Sequence, residues 1–286
     1  MKFSYYPGCS LHSTAQEFDF SSKFICSMLG MELEEIQDWN CCGATSGHAV
    51  SKYLTQSLSL RNLILAEKLA KDVIVPCAAC YNLMRLSHEY IKEQSQESVS
   101  LNEEMRVIMG DCYHAGIHIY HIADILTRTD ILQELKKQIK VSLNGLKVAA
   151  YYGCLLNRPA KEVSFEDNPE QPKKLDELVS ITEAEIVRWT HKTECCGAGL
   201  SISRPQLIEG LAGKIIAAAK RAGADVIVTA CPMCMSNLDL RQKEMPILYI
   251  TELIALSMGS TDIKKYLKKH LVNPIPTLQA RSELNL

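Results

Sequence analysis

The chain has 286 residues, 47% of them hydrophobic, enough to bury the cores of two domains of roughly 100–150 residues without cysteine standing in for packing. Its 31 Lys and Arg against 33 Asp and Glu give a net charge of −2, which removes the electrostatic case for a nucleic acid or an anionic membrane as partner. A small molecule or another protein is the expected partner. Met1 to Cys9 lacks the apolar segment and small-residue cleavage site of a secretory signal, so the thiols are read as cytoplasmic and, for the ten in the repeat, metal-bound.

In chain order, a β-rich run over Lys2–Tyr6 opens the sequence and delivers Cys9 at its carboxyl end. Cys26 lies in a helix-like run, Phe24–Leu29, and reads as a buried free thiol. Trp39-Asn40 leads into Cys41-Cys42-Gly43, and a helix is predicted from Ser46, as N-cap, to Lys71. A strand at Val73–Val75 runs straight into Cys77 and Cys80. The polar stretch Lys92–Glu104 reads as an exposed loop, Cys112 stands outside the ligand set, and a helix over 131–140 precedes the turn Asn144-Gly145.

The second half repeats this order. A β-run at Lys147–Tyr152 leads to Cys154, and Val163–Lys174 reads as a surface insertion. Cys195-Cys196-Gly197 follows Trp189. A helix is predicted from Ser203, as cap, to Ala222, with Pro205 in its first turn and Gly223 as its stop. Strand Val226–Val228 then enters Cys231 and Cys234. Ile247–Met258 is too short to cross a bilayer and is interrupted by Glu252. The tail Asn273–Leu286 is expected to pack on a partner subunit.

The repeat is close: 34 residues separate Cys42 from Cys77 and 34 separate Cys196 from Cys231, although the first intervals are 31 and 40. Strand, helix, strand order predicts an α/β fold of two pseudo-symmetric Rossmann-like halves with mainly parallel sheets, at 1–145 and 146–286, the latter with a C-terminal extension. Loops at the carboxyl ends of such strands converge on the ligand site, which delivers the cysteines of each half to one crevice.

Each copy supplies five thiols, one more than a tetrahedral zinc or a cubane cluster takes. Adjacent side chains in extended backbone point to opposite sides, so Cys41 and Cys42 suit different irons better than one. A glycine after each pair lets a backbone N–H approach sulfur. Iron–sulfur in both halves is the leading expectation, with zinc in one half left open. His12 and His48 lie near cluster cysteines and could donate to a substrate anion. Arg158 and Lys161 follow Cys154 and could attract one. No P-loop, flavin fingerprint or Ser-His-Asp set emerges, and Gly197-Ala198-Gly199 lacks the third glycine of a dinucleotide motif.

The duplicated arrangement, with Tyr5-Tyr6-Pro7-Gly8-Cys9-Ser10-Leu11-His12-Ser13 and Asp38-Trp39-Asn40-Cys41-Cys42-Gly43-Ala44, resembles the cysteine-rich CCG domain. Over residues 1 to 258 it is similar to the heterodisulfide reductase B-subunit family. That resemblance implies two noncubane 4Fe-4S clusters at the interface of the halves, on Cys9, Cys41, Cys42, Cys77 and Cys80 and on Cys154, Cys195, Cys196, Cys231 and Cys234. It implies a disulfide cleaved between them by one-electron steps, of the CoM-S-S-CoB type in methanogens. It also implies a C-like ferredoxin-type 4Fe-4S subunit and an A-like flavin subunit as partners. The alternative is a non-catalytic electron-transfer subunit of another oxidoreductase complex, with one cluster plus zinc.

Overall fold

A computed structural model describes residues 1–45, 47, 50–201 and 203–282. In the first half, β1 (Lys2–Tyr5) precedes α1 (Gly8–Leu11), α2 (Gln16–Met28) and β2 (Glu32–Glu35). Then come α3 (Lys52–Lys68), β3 (Val73–Val75), α4 (Ala78–Lys92) and α5 (Gln96–Met109). The half closes with β4 (Ile119–His121), α6 (Ile122–Leu126) and α7 (Thr129–Lys137). The second half runs β5 (Lys147–Tyr151), α8 (Ala160–Val163), α9 (Lys174–Ser180), β6 (Glu185–Ile186) and α10 (Pro205–Arg221). It ends with β7 (Val226–Thr229), α11 (Pro232–Leu240), β8 (Ile247–Tyr249), α12 (Ile250–Ser257), α13 (Ile263–Leu267) and α14 (Ile275–Arg281).

Two four-stranded sheets form, β2-β1-β3-β4 and β6-β5-β7-β8, and every strand pair is parallel. The central strands carry Val, Ile and Ala buried on both faces, as parallel strands covered by helices require. In each sheet the order reverses between the first and third strands, and there the carboxyl ends leave an open crevice. Cys9 and Cys77 follow β1 and β3, and Cys154 and Cys231 follow β5 and β7, so both crevices are lined with thiols.

The halves dock reciprocally. Helix α2 packs on α12, where Ser21 and Thr251 hydroxyls meet at 2.7 Å, and α6 packs on α9, where Lys174 bonds Asp124 at 2.8 Å. The last residues of edge strands β8 and β4 each stack on a phenylalanine of the other half: Tyr249 on Phe18 at 4.3 Å and His121 on Phe165 at 5.9 Å.

Five expectations need correction. Most of the supposed exposed loop Lys92–Glu104 is helical, since α5 runs over Gln96–Met109, capped by Ser95, whose hydroxyl accepts from Ser98 N, and stopped by Gly110 at φ +71°. Its buried residues, Ser98, Leu101 and Met105, recur at helical spacing, a sparse stripe that the polar composition hid. Val163–Lys174 is a strap between the halves: Tyr81 donates to the Val163 carbonyl at 3.0 Å and Phe165 packs on Tyr81 and His121. The described part of the tail, 273–282, packs on its own chain, with Leu278 fully buried and Arg281 bonded to Asp225 at 3.1 Å. The cap of α3 is Ser51, accepting from Leu54 N at 3.0 Å, whereas Ser46 lies outside the described residues. At α10 the cap position is Arg204, with Pro205 opening the helix. Cys26 is fully buried, as expected, and burial pushes its thiol up to about 12.

Candidate functional site

The ten repeat cysteines gather into two sets with matching geometry. In the first, Cys9 Sγ lies 3.8 Å from Cys41 Sγ and Cys42 Sγ lies 3.2 Å from Cys80 Sγ. In the second, Cys154 to Cys195 is 3.6 Å and Cys196 to Cys234 is 3.4 Å. All are too long for a disulfide, whose bond is about 2.05 Å. Two thiolates on one tetrahedral ion with metal–sulfur bonds of about 2.3 Å sit about 3.8 Å apart, which the 9–41 and 154–195 pairs approach. The adjacent cysteines turn to different partners, Cys41 to Cys9 and Cys42 to Cys80, and the same division holds for Cys195 and Cys196.

The backbone around each set repeats as well. Gly43 N–H points to Cys41 Sγ at 3.5 Å and Gly197 N–H to Cys195 Sγ at 3.3 Å, both glycines at positive φ. A hydrogen bond within the thiol set is the main reason Cys41 titrates low, near about 5, and Cys195 near about 6; the glycine N–H assists in each case. Gly8 and Gly153, also at positive φ, bring the chain so close that a Cβ would sit 3.1 Å from Cys80 Sγ and 3.2 Å from Cys234 Sγ. Tyr6 donates to the Asn40 carbonyl and Tyr151 to the Glu194 carbonyl, both at 2.7 Å, fixing the residue before each vicinal pair. Trp39 packs on Tyr6 and Trp189 on Tyr151, so the tryptophans brace the tyrosines that hold these loops.

Five converging sulfurs, neighbouring cysteines divided between partners, and glycines leaving room where a Cβ would crowd sulfur together fit a polynuclear iron–sulfur group in each half. The paired N–H donors fit sulfur ligands carrying negative charge.

The sets differ in their surroundings. A cavity of about 780 Å³ opens over the second set, bordered by Cys154, Cys195, Cys196, Cys231 and Cys234 on one side and by α3 and α4 on the other. Leu83, Leu86 and Tyr90 give it an apolar wall, with Lys52, Glu89, Glu93 and Glu162 around it. The first set's cysteines do not border it, although their neighbours Ala44 and Ala79 do. Asn82 on α4 donates to the Leu155 and Arg158 carbonyls at 2.8 Å, so the first half's CxxC helix pins the loop after Cys154.

Of the histidines, His12 bonds Glu35 at 3.0 Å and meets Trp39 edge-on, bracing the end of β2. His48 lies outside the described residues. Arg158 pairs with Glu170 at 3.0 Å, and Lys161 is exposed.

His121 was not singled out by the sequence. It is fully buried on the boundary between the halves, and its Nδ1 accepts from Ala123 N at 3.1 Å. That leaves Nε2 as the N–H donor, directed at the Pro76 carbonyl (2.6 Å) and the Ala230 carbonyl (3.2 Å), the residues immediately before Cys77 and Cys231. Burial holds this imidazole neutral, down at about 4. One ring thus ties both CxxC loops together. A signal existed: Ile119-Tyr120-His121-Ile122-Ala123-Asp124-Ile125-Leu126 matches Ile247-Leu248-Tyr249-Ile250-Thr251-Glu252-Leu253-Ile254, extending the repeat past the cysteines.

A family model described as "Cysteine-rich domain" (CCG) matches residues 3–85 and 148–239, and the chain belongs to that family. Among near full-length relatives it is 28% identical to the B subunit of ferredoxin:CoB-CoM heterodisulfide reductase from Methanosarcina mazei, covering 99% of this chain and 98% of that one. It is also 28% identical to the membrane anchor subunit of 8-methylmenaquinol:fumarate reductase from Wolinella succinogenes, over 90% of this chain and 92% of that one. The crystal structure of a hypothetical protein from Helicobacter pylori shares the fold, with a TM-score of 0.72 at 14% identity over 95% of this chain, which spans about half (52%) of that one. Among the described residues no helix is long and apolar enough to cross a membrane.

Proposed function

We propose that this chain is the iron–sulfur subunit of a heterodisulfide reductase-like complex that reduces a disulfide, RSSR′ + 2e⁻ + 2H⁺ giving RSH and R′SH. The observation that carries this is the twofold set of five free thiols at parallel switch points, one set opening on a cavity between the halves. Cys9, Cys41, Cys42, Cys77 and Cys80 would hold one noncubane 4Fe-4S group, and Cys154, Cys195, Cys196, Cys231 and Cys234 the other. When bound, these groups supply the two electrons one at a time. The chain's own residues shape the reaction space: Leu83, Leu86 and Tyr90 limit water, and Asn82 fixes the wall beside Cys154. Electrons would come from a C-like ferredoxin-type subunit fed by an A-like flavin subunit.

A second reading, a non-catalytic electron-transfer subunit of another oxidoreductase complex, is supported by the near full-length likeness to the Wolinella succinogenes subunit. Anaerobic iron, acid-labile sulfide and zinc analysis, with EPR after oxidation in the presence of small thiols, separates the two. About eight irons and eight sulfides per chain, with a paramagnetic signal that responds to thiol, support the first reading. Full iron with no thiol response supports the second. Stoichiometric zinc in one cysteine set refutes the two-cluster assignment.

A further inference from the structure

We propose a mononuclear zinc site, separate from the ten repeat cysteines, formed by Asp111, Cys112 and His114 in the loop between α5 and β4. The three ligand atoms lie within 4.8 Å of one another. Cys112 Sγ and His114 Nε2 are 3.6 Å apart. A tetrahedral zinc with Zn–S of about 2.3 Å and Zn–N of about 2.0–2.1 Å sets that edge at about 3.6 Å. The pair already has the separation that one ion would impose.

The independent observation is the support behind the imidazole. Glu67, near the end of α3, accepts from His114 Nδ1 at 3.2 Å, from His114 N at 2.7 Å and from Gly116 N at 2.6 Å. A proton on Nδ1 leaves the Nε2 lone pair facing Cys112, the carboxylate–histidine–metal relay that orients ligating histidines. Asp111 is oriented too, since its Oδ1 accepts from Cys112 N at 2.9 Å. One thiolate, one imidazole and one carboxylate suit zinc over magnesium or calcium, and three protein ligands leave a fourth position for water. Binding would release the Cys112 proton. The loop enters β4 at its amino end, whereas the repeat cysteines sit at carboxyl ends, so this ion would fasten residues 110–116 to α3 on the far side of the sheet.

The test uses the anaerobically purified, iron-loaded full chain equilibrated with zinc(II) against a chromophoric chelator. Metals are then counted, and the zinc shell is read by X-ray absorption at the zinc edge. The expected result is one zinc per chain with one sulfur in its shell. Cys112→Ala and His114→Ala should each abolish retention with iron unchanged, and Glu67→Gln should weaken zinc binding by about 10–100-fold. Asp111→Asn should weaken it while keeping the sulfur. Failure of the unaltered chain to hold zinc, zinc undiminished in Cys112→Ala, or a shell of four sulfurs would each overturn the site. The last would instead place zinc among the repeat cysteines.

Discussion

Replacing His121 by phenylalanine preserves the ring that stacks on Phe165 at 5.9 Å and removes both nitrogens. Ala123 N–H then loses its acceptor at the start of α6, a cap loss of about 1 kcal/mol. The Pro76 and Ala230 carbonyls lose a donor in a site the ring keeps dry. An orphaned buried group costs about 1–3 kcal/mol, and a carbonyl with a second lone pair falls at the low end, so the sum is about 3–4 kcal/mol. At about 2–4 °C per kcal/mol for a chain of this size, the melting temperature should fall by roughly 6–16 °C. Anaerobic thermal unfolding followed by circular dichroism measures this. Tyr249→Phe is the matched control, since the Tyr249 hydroxyl finds no partner among the described residues and its removal should cost nothing. If the two variants melt together, or His121→Phe melts within about 2 °C of the unaltered protein, His121 does not tie the loops.

Cys42→Ala and Cys196→Ala should each lose the iron of their own half and keep the other, read as a halving of iron per chain; full iron in both would exclude five-thiol ligation. Gly197→Ala must place a Cβ at φ +81° and 2.4 Å from Ile208 Cδ1, costing about 1–2 kcal/mol for the left-handed backbone and loosening the second set. Gly199→Ala, with open space around it, should leave stability and iron unchanged. Leu86→Trp should narrow the cavity and weaken the thiol response of the EPR signal while iron content holds. His270, buried against Glu252 at 3.0 Å, has its pKa raised to about 9; burial opposes the rise and the Glu252 charge drives it. A raised folded pKa gives stability that is full below about 6.5 and is lost as pH climbs through about 9, worth roughly 3 kcal/mol. Melting should therefore fall from pH 7 to pH 9.5, and His270→Gln should flatten that slope.

The cysteine repeat made the parallel halves and the thiol-bearing switch points legible, because CxxC after Val-Ile-Val fixes both strand and ligand position. Edge strands β4 and β8 were harder to see, being only three residues each and flanked by helices with the same apolar character. Helix α5 escaped notice because most of its surface faces water, leaving Ser98, Leu101 and Met105 as its only fully buried side chains. Phe165 lay in what read as a polar insertion, and only the docking of the halves gives it partners. The restriction of the cavity to the second set depends on how α4 leans across the interface. Local spacing carries no record of that lean.

The boundary residues His121 and Tyr249 occupy corresponding places in the two halves, each ending an edge strand and preceding a helix. In a dimer of identical subunits a residue at such a place would be repeated by symmetry, and two imidazoles would compete for the same pair of carbonyls. Joining the copies in one chain releases them from that constraint. One position can carry the donor that holds both loops while the other becomes an apolar ring stacked on Phe18. The same release lets one thiol set face a chamber while its twin does not border it, so a duplicated module can divide its labour without changing its ligands.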